Sequence, residues 1–301
     1  MPLRQLYPVP GNAAGDTTTV DIIAVHGLNP RSKADDKHAW DTWRTPPRPG
    51  GRIWLRDDLP HQFPDARIFL YQYNSTAVYG KDKSTFVDKA NAFLESIRLK
   101  RRGHEKRPLL LLGHSLGGLL IKQALINAFN NEKYSQVRLA TKGLAFFATP
   151  HDGGNERFVG IGSVAARIAI GLGFQKGDNI LETLDNGSLF ADLMHEQWKQ
   201  RLLDFDIVSF WGTKDQIVPR ESARFGLPGN RENVVALEAD HSGVCKFGDG
   251  ETDQDNLECV LGNIHDLVEN ALKISKFNST SPVAIFQDHI VANSLPGSLP
   301  F

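Results

Sequence analysis

Cysteine is nearly absent from this chain: among 301 residues there are only Cys245 and Cys259. Two thiols without a C-x-x-C pair make neither a disulfide framework nor a redox motif. His241 and Cys245 are spaced like half a zinc site, but no second half accompanies them, so no metal is expected there. An excess of either charge is also missing. The net charge of -1 and pI ≈ 6.8 provide no global field to attract nucleic acid. The first twenty residues, MPLRQLYPVPGNAAGDTTTV, carry prolines and polar groups where a signal peptide needs an apolar run. Without an export signal, the glycosylation patterns at Asn74-Ser75-Thr76 and Asn278-Ser279-Thr280 carry no weight, and a cytoplasmic location is expected. No G-x-x-x-x-G-K-[ST] occurs, so the chain itself should not cradle nucleotide phosphates. There is no internal repeat.

What is present is a series of short β-branched and apolar runs with helical patterns between them. They fall at Val20–Val25, Arg67–Tyr71, Leu109–Leu112, Gly143–Ala148, Ile207–Trp211 and Val234–Leu237. Such alternation implies an α/β fold, a mostly parallel sheet with helices on both faces. Between the second and third runs, Phe86, Ala90, Phe93, Leu94 and Ile97 share one face of an amphipathic helix. Further helices are expected over Leu116–Phe129, Ser188–Leu203 and Asn256–Ile274. The basic run Lys100–Arg107 reads as a solvated loop. Phe158–Phe174 is apolar with one charge, Arg167, and suits either a buried helix pair or a cap over an apolar pocket. Peripheral contact with a membrane is its third reading. The organisation expected is an N-terminal extension over 1–19, an α/β domain over 20–275 with a cap at 152–200, and a Pro/Ser-rich tail or linker over 276–301.

The chemistry centres on RPLLLLGHSLGGLLIKQALINAF. Gly113-His114-Ser115-Leu116-Gly117 has the G-x-S-x-G form of a nucleophile elbow, set between an apolar strand and a helix as that motif requires. A serine hydroxyl needs a base to take its proton and donors aimed at the developing oxyanion. In this architecture the partners follow in the order serine, acid, histidine. Of the later histidines, His241 lies just past the last strand, at the edge where open α/β sheets gather their chemistry. His195 and His265 sit in helical patterns, His289 lies in the tail, and His151 precedes the candidate acids. Asp215 follows the strand Ile207–Trp211 by a short turn, with Glu221 as the alternative acid. Asp240 adjoins His241 too closely, and Asp206 starts its strand at the opposite edge. The oxyanion donors would be the amides of Leu116 and of Leu28 or Gly27, in the loop after Val20–Val25, where His26 reads as structural.

With these residues assembled, the chain resembles the α/β-hydrolase superfamily over roughly residues 20–275. The segments VHGLNP, LLLLGHSLGGLLIKQAL, GLAFFATPHDGG and ADHSGVCKF are similar to a lipase-like branch. That branch contains the serine-active-site proteins, the GPI inositol-deacylases and the fungal SesB-type domains. Its G-T-P-H-x-G pattern reads here Ala148-Thr149-Pro150-His151-Asp152-Gly153. The resemblance implies a cofactor-free hydrolase acting on an ester or lipid. It also implies a second reading, an effector module at the N-terminus of a NOD-like receptor, ahead of a nucleotide-binding domain. The stretch Ser294–Phe301 would suit that junction.

Overall fold

Seven strands form one sheet in the order β1-β5-β2-β6-β7-β8-β9 in a computed structural model that describes residues 2–9, 17–30, 35–79, 83–151, 161–185 and 200–280. In chain order the strands are β1 (Leu3–Tyr7), β2 (Val20–Val25), the short β3 (Arg44–Thr45) and β4 (Arg52–Ile53), β5 (Ala66–Tyr71), β6 (Leu109–His114), β7 (Thr141–Phe147), β8 (Asp206–Gly212) and β9 (Glu232–Leu237). β3 and β4 pair only with each other; every neighbour in the large sheet is parallel except β1, which runs antiparallel to β5. The helices are α1 (Asp35–Asp41), α2 (Trp54–Asp57), α3 (Leu59–Gln62), α4 (Ser75–Tyr79), α5 (Lys83–Lys100), α6 (Leu116–Asn130), α7 (Ser135–Ala140), α8 (Ile161–Gly171), α9 (Asn179–Asp185) and α10 (Glu251–Thr280).

Both central strands, β2 and β6, are buried at every position, as expected where helices cover the two faces of a parallel sheet. Alternate residues feed two cores. Ile23, Val25, Leu109 and Leu111 pack with α5 and α6, whereas Ile22, Ala24, Leu110 and Leu112 pack with α10. Each such side chain taken from water contributes about 2 kcal/mol before the entropy of ordering is counted. The stripe Phe86, Ala90, Phe93, Leu94 and Ile97 is buried along α5.

The structure adds to the sequence reading at several places. The segment read as an N-terminal extension supplies the edge strand β1, whose short LRQLY run shows only Leu3 and Leu6 to the core. The final helix continues through Thr280, past the point where its apolar periodicity stops. The basic run is not wholly solvated. Arg101 is buried and, with Arg67 and Arg107, surrounds the fully buried Asp21 carboxylate at the N-terminal end of β2. A buried carboxylate needs that many donors, and a linear charge pattern does not reveal them. Finally, of the cap read over 152–200, α8 and α9 are formed. The helix expected over Ser188–Leu203 lies outside the described residues except at its end, where Leu202–Asp204 form a 3-10 turn. The tail and its proposed junction also lie outside them from residue 281 onward.

Candidate active site

Ser115 stands between β6 and α6 with φ 52 and ψ −130. Such backbone costs a non-glycine residue about 1–3 kcal/mol and persists only where its surroundings hold it. Here they do: the Ser115 amide donates to the Phe147 carbonyl at 2.8 Å, and the Ser115 carbonyl accepts from Gly118 N–H at 3.0 Å and from Thr149 Oγ1 at 3.0 Å. The flanking glycines are required by close approach. A Cβ on Gly117 would stand 2.2 Å from the His26 carbonyl, and one on Gly118 would stand 2.3 Å from Thr149 Oγ1. The first turn of α6 therefore lies directly against the loop leaving β2.

Ser115 Oγ is 2.9 Å from His241 Nε2, and His241 Nδ1 is 2.8 Å from Asp215 Oδ2. The other carboxylate oxygen, Oδ1, accepts the amides of Ile217 at 2.8 Å and Val218 at 3.0 Å, so the turn after β8 grips the acid. The Asp215 carboxylate is sealed from solvent. Burial works to raise its pKa, but the hydrogen bond and charge of His241 and the amides of Val218 and Ile217 prevail and lower it. With Asp215 ionised and accepting the Nδ1 proton, Nε2 is left as the acceptor facing the serine. This arrangement can remove the hydroxyl proton during attack and hold the imidazolium that results.

The loop after β2 closes the other side. A Cβ on Gly27 would meet Ser115 Cβ at 2.9 Å, so that loop touches the serine. Leu28 N–H has no acceptor among the described residues, and Leu116, first in its helix, has no intrahelical one. His26 is fully buried, stacks on Tyr73 at 4.3 Å, and has its pKa lowered to about 4, chiefly by desolvation. Tyr73 donates its hydroxyl to the His26 carbonyl at 2.7 Å, and Tyr79 donates to the Leu116 carbonyl. Sequence reasoning missed both tyrosines, since nothing in their spacing marks them.

It also passed over His114, inside the pentapeptide itself. The His114 imidazole donates from Nε2 to the carbonyl of His241 at 2.9 Å, tying the elbow to the loop that carries the histidine. Its pKa is lowered to about 3, first by burial and then by His241, so the ring is neutral.

The remaining candidates fall elsewhere. Glu221 is half-buried and is not a partner of His241, whose Nδ1 is taken by Asp215. Asp240 accepts the amides of Ser242 and Gly243, stabilising its own turn. Asp206 begins β8 at the opposite edge. His151 is buried face to face with Phe225 at 3.7 Å, and His265 lies on α10 beside Phe63. His195 and His289 lie outside the described residues. The Cys245 thiol points to the Thr42 carbonyl at 3.2 Å, and desolvation pushes its pKa up to about 12.

The sheet order, with a serine turn after β6, a carboxylate after β8 and a histidine after β9, is the α/β-hydrolase fold. No family model matches the chain. Protein SERAC1 of Danio rerio is 26% identical over 211 residues, covering 64% of this chain and 30% of the relative. Protein SERAC1 of Homo sapiens is 24% identical over 258 residues, covering 75% and 36%. The chain thus spans about a third of the length of the curated relatives it matches. Among solved structures, Bacillus licheniformis lipase BlEst2 is similar at a TM-score of 0.46 and 15% identity, over 80% of this chain and 91% of that one.

Proposed function

We propose that this chain is a serine hydrolase that cleaves carboxylic esters, lipid or lipid-like, through an acyl-enzyme. The observation that carries the reading is the unbroken contact from Ser115 Oγ through His241 to the buried Asp215, at 2.9 and 2.8 Å. Ser115 Oγ attacks the ester carbonyl carbon while His241 Nε2 takes its proton. The amides of Leu28 and Leu116 receive the oxyanion. Collapse breaks the bond to the alkoxide, which leaves as an alcohol carrying the proton from His241. Water then repeats the sequence on the acyl-serine, releasing the acid and restoring the serine.

The lipid-like part rests on the apolar layer beside the site. Gly171 at the end of α8 packs against Ile217, two residues from Asp215. A groove of about 830 Å³ along α8 and α9, which none of the triad residues lines, is walled by Ala166, Ile170, Phe174 and Leu181 together with the charged Arg167, Lys176 and Glu182. Labelling with a fluorophosphonate probe tests the reading: Ser115→Ala is expected to abolish labelling and the turnover of p-nitrophenyl esters. Labelling that survives this change would sink it.

A further inference from the structure

An amide N–H points where its peptide plane points, and the plane is held by whatever binds the carbonyl at its other end. The donor N–H of Leu116 belongs to the peptide whose carbonyl is that of Ser115. The donor N–H of Leu28 belongs to the peptide whose carbonyl is that of Gly27. Each of these carbonyls is held by a fully buried side chain, one from a distant segment and one from the preceding residue of the same loop: Thr149 Oγ1 lies 3.0 Å from Ser115 O, and His26 Nδ1 lies 2.9 Å from Gly27 O. On the hydrolase reading above, we infer that Thr149 and His26 are positioning residues that aim the two oxyanion donors.

The details fit. The Ser115 carbonyl faces two donors, Gly118 N–H and the Thr149 hydroxyl, which lies nearer to it at 3.0 Å than to the Gly113 carbonyl at 3.4 Å, so the plane is held from two sides. His26 must carry its proton on Nδ1 to donate to Gly27 O, and Nε2, which faces the Tyr73 amide at 3.4 Å, is then the acceptor. The ring is thus held in one tautomer by groups on both sides. Thr149 packs against Gly118, and Ala148 before it has φ 45, so the hydroxyl is presented by a backbone that itself needs tertiary support.

Thr149→Val keeps the shape and removes the donor. It is expected to lower kcat on p-nitrophenyl esters and the rate of fluorophosphonate labelling together, by roughly tenfold to a hundredfold, a part of what removing a whole oxyanion donor costs. KM and the melting temperature should stay near the wild-type values, because the substrate ground state does not use the aimed N–H. Thr149→Ser should recover most of the rate. His26→Asn, whose amide nitrogen can stand in for Nδ1, should retain more kcat than His26→Leu; this pair decides the matter should Thr149→Val unfold. Ser115-dependent labelling at the wild-type rate in Thr149→Val overturns the inference alone, as does a loss seen only in KM. A wild-type chain that neither labels nor turns over removes the hydrolase reading and this inference with it.

Discussion

At the scale of single residues, the distinction between Asp215 and Glu221 rests on two carboxylate oxygens with separate tasks. Oδ1 holds the amides of Ile217 and Val218, and Oδ2 holds His241. Asp215→Asn can therefore keep the turn through its remaining oxygen while presenting an NH2 to the imidazole. That forces the proton onto Nε2, where it can no longer accept from Ser115. We predict a fall in kcat of about 10⁴-fold, with the urea midpoint little changed. Glu221→Gln should leave kcat as it is. A large loss on the Glu221 change, measured side by side, would reassign the acid. Ala148 and Ser115, the two non-glycine residues with positive φ among the described residues, both lie at this site. The alanine sits where the similar family pattern carries glycine, and sequence alone could not say that the backbone there had kept its unusual conformation.

At the scale of elements, the site depends on how closely α6 can approach the end of β2. The His26 carbonyl and the Gly117 α-carbon meet with no room for a methyl group, since a Cβ would stand 2.2 Å from that oxygen. Neither partner is a flexible side-chain tip; both are backbone. Gly117→Ala must therefore push the helix away from the oxyanion loop. A destabilisation of about 1–3 kcal/mol is expected, the usual cost of overpacking, with a loss of labelling larger than the stability change explains. Denaturant unfolding and probe labelling on the same preparation check both halves. If the variant is as stable and as reactive as the wild type, the contact between α6 and the β2 loop is looser than described. The strand-turn-helix arrangement around Ser115 was legible because apolar runs and helical periodicity are local signals. Edge strand β1 was not, because five residues with two core-facing leucines become a strand only when β5 offers its free edge.

At the scale of the whole molecule, the pH dependence of stability follows from histidines buried neutral. The pKa of His26 is lowered to about 4 and that of His114 to about 3, in both cases first by desolvation, and that of His151 is lowered well below its ordinary value by burial and by Lys122. A ring whose folded pKa lies below its unfolded 6.5 takes up its proton more readily when unfolded. Stability is thus fully present above pH 6.5 and drains away as the pH falls toward the folded value. At pH 5 the loss is about 2 kcal/mol for each ring, so roughly 4 for His26 and His114 together. This is a large share of the stability of an ordinary domain. Urea midpoints at pH 7.5 and pH 5 should differ accordingly, and a midpoint unchanged between them would mean that these rings are not held neutral. Asp215, whose pKa is lowered, acts in the same direction at more acid pH: its contribution is present above 3.8 and is lost as the pH falls through the folded value.

The sequence by itself determined the alternation of strands and helices, the serine turn with its glycines, and the order in which serine, acid and histidine follow along the chain. These are properties of neighbouring residues, written in periodicity and turn chemistry. Only the tertiary structure decided which carboxylate reaches His241 and which arginines turn inward to Asp21. It alone showed that the hydroxyl of Thr149 holds the carbonyl of Ser115. Those contacts join residues far apart in the chain, 126 positions in the case of Ser115 and His241, and they arise only once the sheet has set its strand ends side by side.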